Sequence, residues 1–188
     1  MKLYGILLVQ NEGDILEQTL LNLLSIKAFD KIFLFDMGSS DDTLAIAEKH
    51  ANDVLTVNQC NEKFSDQLRF DLLYKQVNFE QGDWLAIIDA DEHYIDSPYE
   101  MIKKAETEGA NYIEASSIQF YFTEKDLNIP YIREEAIEDC RKHYLINWSE
   151  TRLLKHIEGY THNDIDKKAK NKPLIKATEN ILLKHFQY

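Results

Sequence analysis

Three short apolar runs, Leu3 to Val9, Ile32 to Phe35 and Trp84 to Ile88, each stop abruptly at polar residues. They are too short for helices, and their unbroken apolar character marks strands covered on both faces, as in a parallel sheet. Between the first two runs, Ile15, Leu16, Thr19, Leu20, Leu23 and Leu24 recur at helical spacing, and Leu44 to Ala47 begin another helix behind Asp41 and Asp42. Asp53 to Val57 reads as a third strand. Leu68, Leu72, Leu73 and Val77 put one apolar stripe on a helix within Phe64 to Phe79. The order is βαβα, an α/β fold with a mostly parallel central sheet flanked by helices. Ser97-Pro98-Tyr99-Glu100 has the form of a helix start, with Ser97 as N-cap, Pro98 in the first turn and Glu100 closing a capping box.

Beyond Gly109 the rhythm changes. Tyr112 to Phe122 reads as a long strand, Glu134 to Tyr144 as a polar helix, and Ser149 to Lys155 and Ile181 to Lys184 as further strands. The 188 residues, 44% hydrophobic, suffice for one core of ordinary size. No repeat or linker divides them, so residues 1–188 read as a single domain with a nucleotide-type first half, 1–110, and a more variable second half, 111–188. The chain ends at Gln187 and Tyr188, directly after the last strand, which leaves room for a longer parent protein.

The net charge of −12 repels a polyanion, which disfavours nucleic acid as a partner. Cys60 and Cys140 carry no CxxC and no zinc spacing, so they read as idle thiols in a reducing compartment. The apolar start runs into Gln10, Asn11 and Glu12 without a cleavage site, and no run approaches a membrane span. The expectation is a soluble cytoplasmic protein whose membrane contact is peripheral at most. The basic run Lys167 to Lys176 reads as a solvated loop or as a contact for phosphate or an anionic surface.

The polar residues that end the apolar runs form three clusters: Gln10, Asn11 and Glu12; Asp36, Ser39, Ser40 and Asp41; and Asp89, Asp91 and Glu92. In an open parallel sheet all three lie at the carboxyl edge, where ligands bind. In extended backbone, residues two apart share a face, so Asp89 and Asp91 would point at one spot. Two carboxylates that close call for a hard cation such as Mg2+ or Mn2+, which completes its shell with water and phosphate oxygens. No glycine-rich dinucleotide fingerprint and no P-loop is present, so metal and loops must hold the phosphates. His93 reads as a partly exposed surface residue. Arg69 either pairs with Asp66 or reaches a nucleotide. Ile181 to Leu183 would carry His185 back to the acid cluster as a third metal ligand beside Asp89 and Asp91. Glu150, between Trp148 and Arg152, reads either as a general base or as a structural partner of Arg152.

Val9-Gln10-Asn11-Glu12, Asp36-Met37-Gly38-Ser39-Ser40-Asp41-Asp42-Thr43 and Asp89-Ala90-Asp91-Glu92, in that order, resemble the family 2 glycosyltransferases of the GT-A, nucleotide-diphospho-sugar transferase fold. The resemblance spans about residues 3 to 95, and its second motif takes the family form D-x-x-S-x-D-x-T. It implies that Asp36 contacts the nucleotide base, that Gln10, Asn11 and Glu12 line base and ribose with Ser39 nearby, and that Arg69 and Asp89 serve the nucleotide. It also implies that the DxD holds Mn2+ or Mg2+. Trp148-Ser149-Glu150-Thr151-Arg152 and Lys184-His185-Phe186 are similar to a bacterial subgroup. The family's Glu-Asp pair on a helix, a frequent source of the base, finds its counterpart in Glu138 and Asp139, alternatives to Glu150.

The implied activity is a metal-dependent, inverting hexosyltransferase-like reaction. It would move a sugar from a nucleotide-sugar donor, a UDP-sugar by family precedent, to a hydroxyl of a glycan or lipid-linked acceptor in bacterial surface glycan synthesis. The alternative is a non-catalytic sugar-nucleotide-binding or scaffolding module of the same fold. A DxD phosphatase fits poorly, because its nucleophile is expected after the first strand and this DxD follows the third apolar run.

Overall fold

A computed structural model describes residues 1–121, 123–126, 128–129, 132, 135–158 and 174–186. Eight strands form one mixed sheet in the order β3-β2-β1-β4-β7-β6-β8-β5. Its first part is the anticipated βαβα unit: β1 (Leu3–Val9), α1 (Leu16–Ile26), β2 (Lys31–Asp36), α2 (Thr43–His50), β3 (Leu55–Gln59), α3 (Asp66–Gln76) and β4 (Trp84–Ile88). β1 pairs in parallel with both β2 and β4, and β2 in parallel with β3. Chain order therefore reverses between β1 and β4, which opens a crevice at their carboxyl ends.

β1 is buried along its whole length because each face meets a helix. Leu3, Leu7 and Val9 join the cluster holding Leu16, Leu20 and Leu23 of α1. Tyr4, Ile6 and Leu8 join the one holding Leu68, Leu72 and Leu73 of α3. A side chain of this kind contributes roughly 1.5–3 kcal/mol when fully buried. Gly5 lies between Ile88 and Phe29, and a Cβ there would come within 2.8 Å of Ile88 Cδ1.

The rest of the sheet is built differently. After β5 (Glu92–Tyr94) and α4 (Pro98–Thr107), β6 (Tyr112–Tyr121) carries alternating buried and half-buried residues. α5 (Ile137–Cys140) precedes β7 (His143–Lys155), and β8 (Ile181–Phe186) closes the order. β7 runs antiparallel to β4 and β6, β8 parallel to β6, and β5 antiparallel to β8.

Three expectations are corrected, and one strand went unforeseen. The Ser97 side chain makes no cap hydrogen bond, and Glu100 pairs instead with Lys103 at 3.2 Å, so the capping box does not form. The polar helix expected over Glu134 to Tyr144 shrinks to Ile137–Cys140, because His143 and Tyr144 already pair with Tyr121 and Phe120 in the sheet. β5, three residues long, has no sequence signal. Asp89 and Asp91 lie in a turn closed by the Glu92 N–H donating to the Asp89 carbonyl, 3.2 Å, not in extended backbone. Residues 167–173 of the basic run, and the side chains of Glu138, Cys140 and Trp148, lie outside the described residues.

Candidate functional site

Strand register brings the three polar clusters to one edge. Val9 lies beside Asp36, and Leu7 beside Ile88, so the loops after β1, β2 and β4 leave the sheet nearly level. The first two loops are latched together. The Asn11 N–H donates to Ser39 Oγ (2.9 Å), and Asn11 Oδ1 accepts from the Ser40 N–H (2.8 Å). The Glu12 N–H donates to Thr43 Oγ1 (2.8 Å), and the Gly13 N–H to Asp41 Oδ2 (3.0 Å). A Cβ on Gly13 would sit 2.1 Å from Asp42 Oδ1 and 2.9 Å from Asp41 Oδ2, so a larger residue there would push these carboxylates aside. Much of the D-x-x-S-x-D-x-T motif is thus spent shaping the edge. Asp36 is buried, and its carboxylate accepts from the N–H groups of Gly38 and Ser39 in its own loop.

Between these loops and the β4–β5 turn lies a cleft of about 350 Å³, lined by Gln10, Glu12, Arg69 and Asp89 among the expected residues. Met37 and Phe64 line it too, and sequence reasoning passed over both as ligand contacts. Phe64 is half exposed at 52%, and the Arg69 guanidinium lies 5.2 Å from its ring centre. Only the fold brings this exposed aromatic beside an arginine in a cleft, where its face suits stacking. Arg69 pairs with neither Asp66 nor open solvent: its Nη2 donates to Asp89 Oδ1 at 2.5 Å.

Asp89 is held from the other side as well. Arg152 Nη2 donates to Asp89 Oδ2 (2.7 Å) and to Glu92 Oε1 (2.6 Å), and stands 3.3 Å from Glu150 Oε2. Burial alone would raise the Asp89 carboxyl, but the charges of Arg152 and Arg69 outweigh it and hold the group below the usual carboxylate range. Glu92 is only 1% exposed, and burial pushes it up to about 7 despite its contact with Arg152. Glu12, half buried, is also pushed up to about 7, first by burial and then by the charges of Asp91, Asp14, Asp41 and Asp89. Acidic residues thus outnumber cations around the cleft.

The second carboxylate of the DxD has a different partner. β8 delivers His185, whose Nε2 lies 3.0 Å from Asp91 Oδ2, and the Phe186 N–H donates to the Asp91 carbonyl. Burial lowers the His185 imidazole, but the hydrogen bond and charge of Asp91, with Glu92 and Asp89 behind it, raise it overall. Its Nδ1 is buried without a hydrogen-bond partner. Among the described residues no group of three or more His, Cys, Asp or Glu is arranged around a metal position. The donor set nevertheless fits a hard divalent ion. One carboxylate and one imidazole sit side by side at the rim, as suits an ion that takes its other ligands from water and substrate.

The remaining expected residues fall into two groups. Glu150 lies on β7 with its side chain half exposed, joined to the cluster through Arg152. Asp139, on α5, is 72% exposed and faces Lys142 at 4.0 Å, apart from the acid cluster. Ile137 of that helix packs with Ile15, Phe120 and Phe186, and Gln18 Oε1 accepts from its N–H. His93 is buried, not on the surface: its Nε2 is 3.1 Å from Thr19 Oγ1, and its ring meets Phe186 edge-on.

A parallel first half, a mixed extension and an acidic turn off the fourth strand define the GT-A class of fold. A profile described as glycosyl transferase family 2 matches residues 6–165, and the chain belongs to that family. Comparison with curated proteins returns no match. Among solved structures, TarS of S. aureus is similar over 65% of this chain and 23% of its own, with 18% identity and a TM-score of 0.54. The mannosyltransferase PcManGT from Pyrobaculum calidifontis, solved in complex with GDP-Man and Mn2+, is similar over 63% of this chain and 35% of its own, with 17% identity and a TM-score of 0.51. This chain therefore spans only a minor part of the length of either protein. No helix among the described residues is long and apolar enough to cross a membrane.

Proposed function

We propose that this domain transfers a sugar, with inversion, from a nucleotide-diphosphate donor to a hydroxyl acceptor. The observation that carries the reading is the split of the DxD: Asp89 is gripped by Arg69 and Arg152, while Asp91 stands free of arginine beside His185. Asp91 and His185 would hold Mn2+ or Mg2+, which would supply positive charge to the departing diphosphate. Asp89 then serves by fixing the arginines and facing the nucleotide, and any part it takes in the metal shell runs through water.

In the donor cleft, Phe64 offers a face for the base, and Gln10 and Glu12 offer polar contacts for base and ribose. Asp36, Asn11 and Ser39 support this by rigidity, since their bonds hold the loops in place. Glu150 is the general base of this reading. Its carboxylate takes the proton of the acceptor hydroxyl as that oxygen attacks the anomeric carbon opposite the leaving diphosphate. Glu138 and Asp139 are the alternative base.

Residues 1–110 form the donor half and 111–188 the acceptor half. The family reading favours a UDP-sugar, while PcManGT was solved with GDP-Man, so both nucleotides belong in the test. The acceptor is a glycan or lipid-linked hydroxyl, in bacterial surface glycan synthesis. The free buried thiol of Cys60 fits a cytoplasmic location.

Thermal shift with UDP-, GDP- and dTDP-sugars and Mn2+ tests donor binding. A ligand at 100 times its dissociation constant stabilises by about 2.7 kcal/mol. Release of nucleoside diphosphate from the stabilising donor, dependent on metal, is the expected result. Stabilisation without any release would instead mark a binding module.

A further inference from the structure

Arg152 is 3% exposed, and a single nitrogen of its guanidinium serves carboxylates from three places: Asp89 in the β4–β5 turn, Glu92 on β5 and Glu150 on β7. Glu150 and Arg152 are two apart on one strand and share a face. Glu92, 1% exposed, sits opposite His185 in the β5–β8 ladder, directly after Asp91. A buried ion pair of this kind adds little to stability, since an apolar pair of similar volume does as well or better. Its geometry does something an apolar pair cannot. It ties the donor-side turn to the strand that carries the half-exposed carboxylate.

We propose that Arg152 is a positioning residue, anchored by Glu92, that sets the Glu150 carboxylate relative to Asp89 and so couples donor binding to proton removal from the acceptor. This rests on the reading of Glu150 as the base. Asp89 retains Arg69 when Arg152 is lost, so donor binding and turnover respond differently.

The test compares Arg152→Gln, Arg152→Lys, Glu92→Gln and Glu150→Gln by turnover and by calorimetry of UDP or GDP with Mn2+, after thermal melts confirm folding. Arg152→Gln and Glu92→Gln are expected to lower kcat by about 10–100-fold, the usual cost of losing an orienting partner, with nucleotide affinity near that of the parent. Arg152→Lys should recover part of the loss. In the Glu150→Gln background, Arg152→Gln should cost nothing further, because the two act as one unit. Should Arg152→Gln not fold, Glu92→Gln, which keeps the cation, carries the test alone.

Unchanged kcat in both variants overturns the proposal. So does a fall in nucleotide affinity that matches the fall in kcat, or a full additional loss in the Glu150→Gln background. If Glu150→Gln itself turns over normally, the base reading fails and takes the positioning role with it. If Glu150→Gln is inactive while Arg152→Gln is not, only the positioning role fails.

Discussion

β1 and β7 are adjacent to the same strand, β4, yet they are ordered by different physics. β1 is parallel to its neighbours and buried over all seven residues, with a helix on each face. β7 is antiparallel, meets β4 only at Leu153, Leu154 and Lys155, and leaves Tyr144, Leu145 and Ile146 well exposed at its far end. The first arrangement fixes the loops after β1 and β2 against each other at one edge by their own hydrogen bonds. The second leaves an open strand running away from that edge. A domain built this way can keep that edge while the far end of β7 varies, provided something ties the two together. In the proposal above, Arg152 is that tie.

The largest expected effect breaks the chemistry on the β7 side alone. Glu150→Gln should lower turnover by about 10²–10⁴-fold, the usual cost of losing a general base, with nucleotide binding intact. Steady-state kinetics beside calorimetry checks this, and undiminished turnover moves the base to Glu138 or Asp139. Next comes a stability contrast between the strands. Leu7→Ala should cost about 2–5 kcal/mol, since both its transfer energy and a cavity are at stake. Leu145→Ser, at an exposed site, should fall within about 0.5 kcal/mol of the parent in urea melts. Comparable losses from the two would erase the distinction.

Asp91→Ala and His185→Ala should each weaken Mn2+-dependent nucleotide binding by roughly 10–100-fold. Calorimetry with Mn2+ and with EDTA measures it, and binding indifferent to both EDTA and Asp91→Ala would remove the metal from the donor site.

The smallest effect is a pH dependence. With Glu12 raised to about 7 in the fold against an ordinary value of 4.5, the native state keeps a proton that the unfolded chain has released. Stability from this group therefore declines as pH rises from about 4.5 to about 7. Nucleotide affinity should decline as the carboxylate ionises near 7, because two anions then meet in the cleft. Glu12→Gln should flatten both trends, and slopes identical to the parent's would show that Glu12 does not titrate there.

The legible parts of this chain are those where local pattern and tertiary environment agree. β1 and β4 appear in the sequence at their structural bounds, because burial on both faces writes a continuous apolar run. The motif loops were equally plain, although Asn11 turns out to bond with Ser39 and Ser40, and Asp41 to accept from the Gly13 N–H. The first half of β7 was not legible. Lys142, His143 and Tyr144 look polar or exposed whether helical or extended, and only pairing with β6 makes a strand of the last two. Phe64 was missed because an isolated aromatic before a helix has no period to betray it.

By itself the sequence determined the order of elements from β1 to β4 and the edge where the acids collect. The partners of those acids were decided only in the tertiary structure. Asp89 and Asp91 are chemically alike and two residues apart, yet one is clamped by Arg69 and Arg152 and the other faces His185. That division depends on β7 and β8 arriving beside the β4–β5 turn in a particular register. Such a register is set by the packing of the whole sheet across long sequence separations, and no local pattern of residues encodes it.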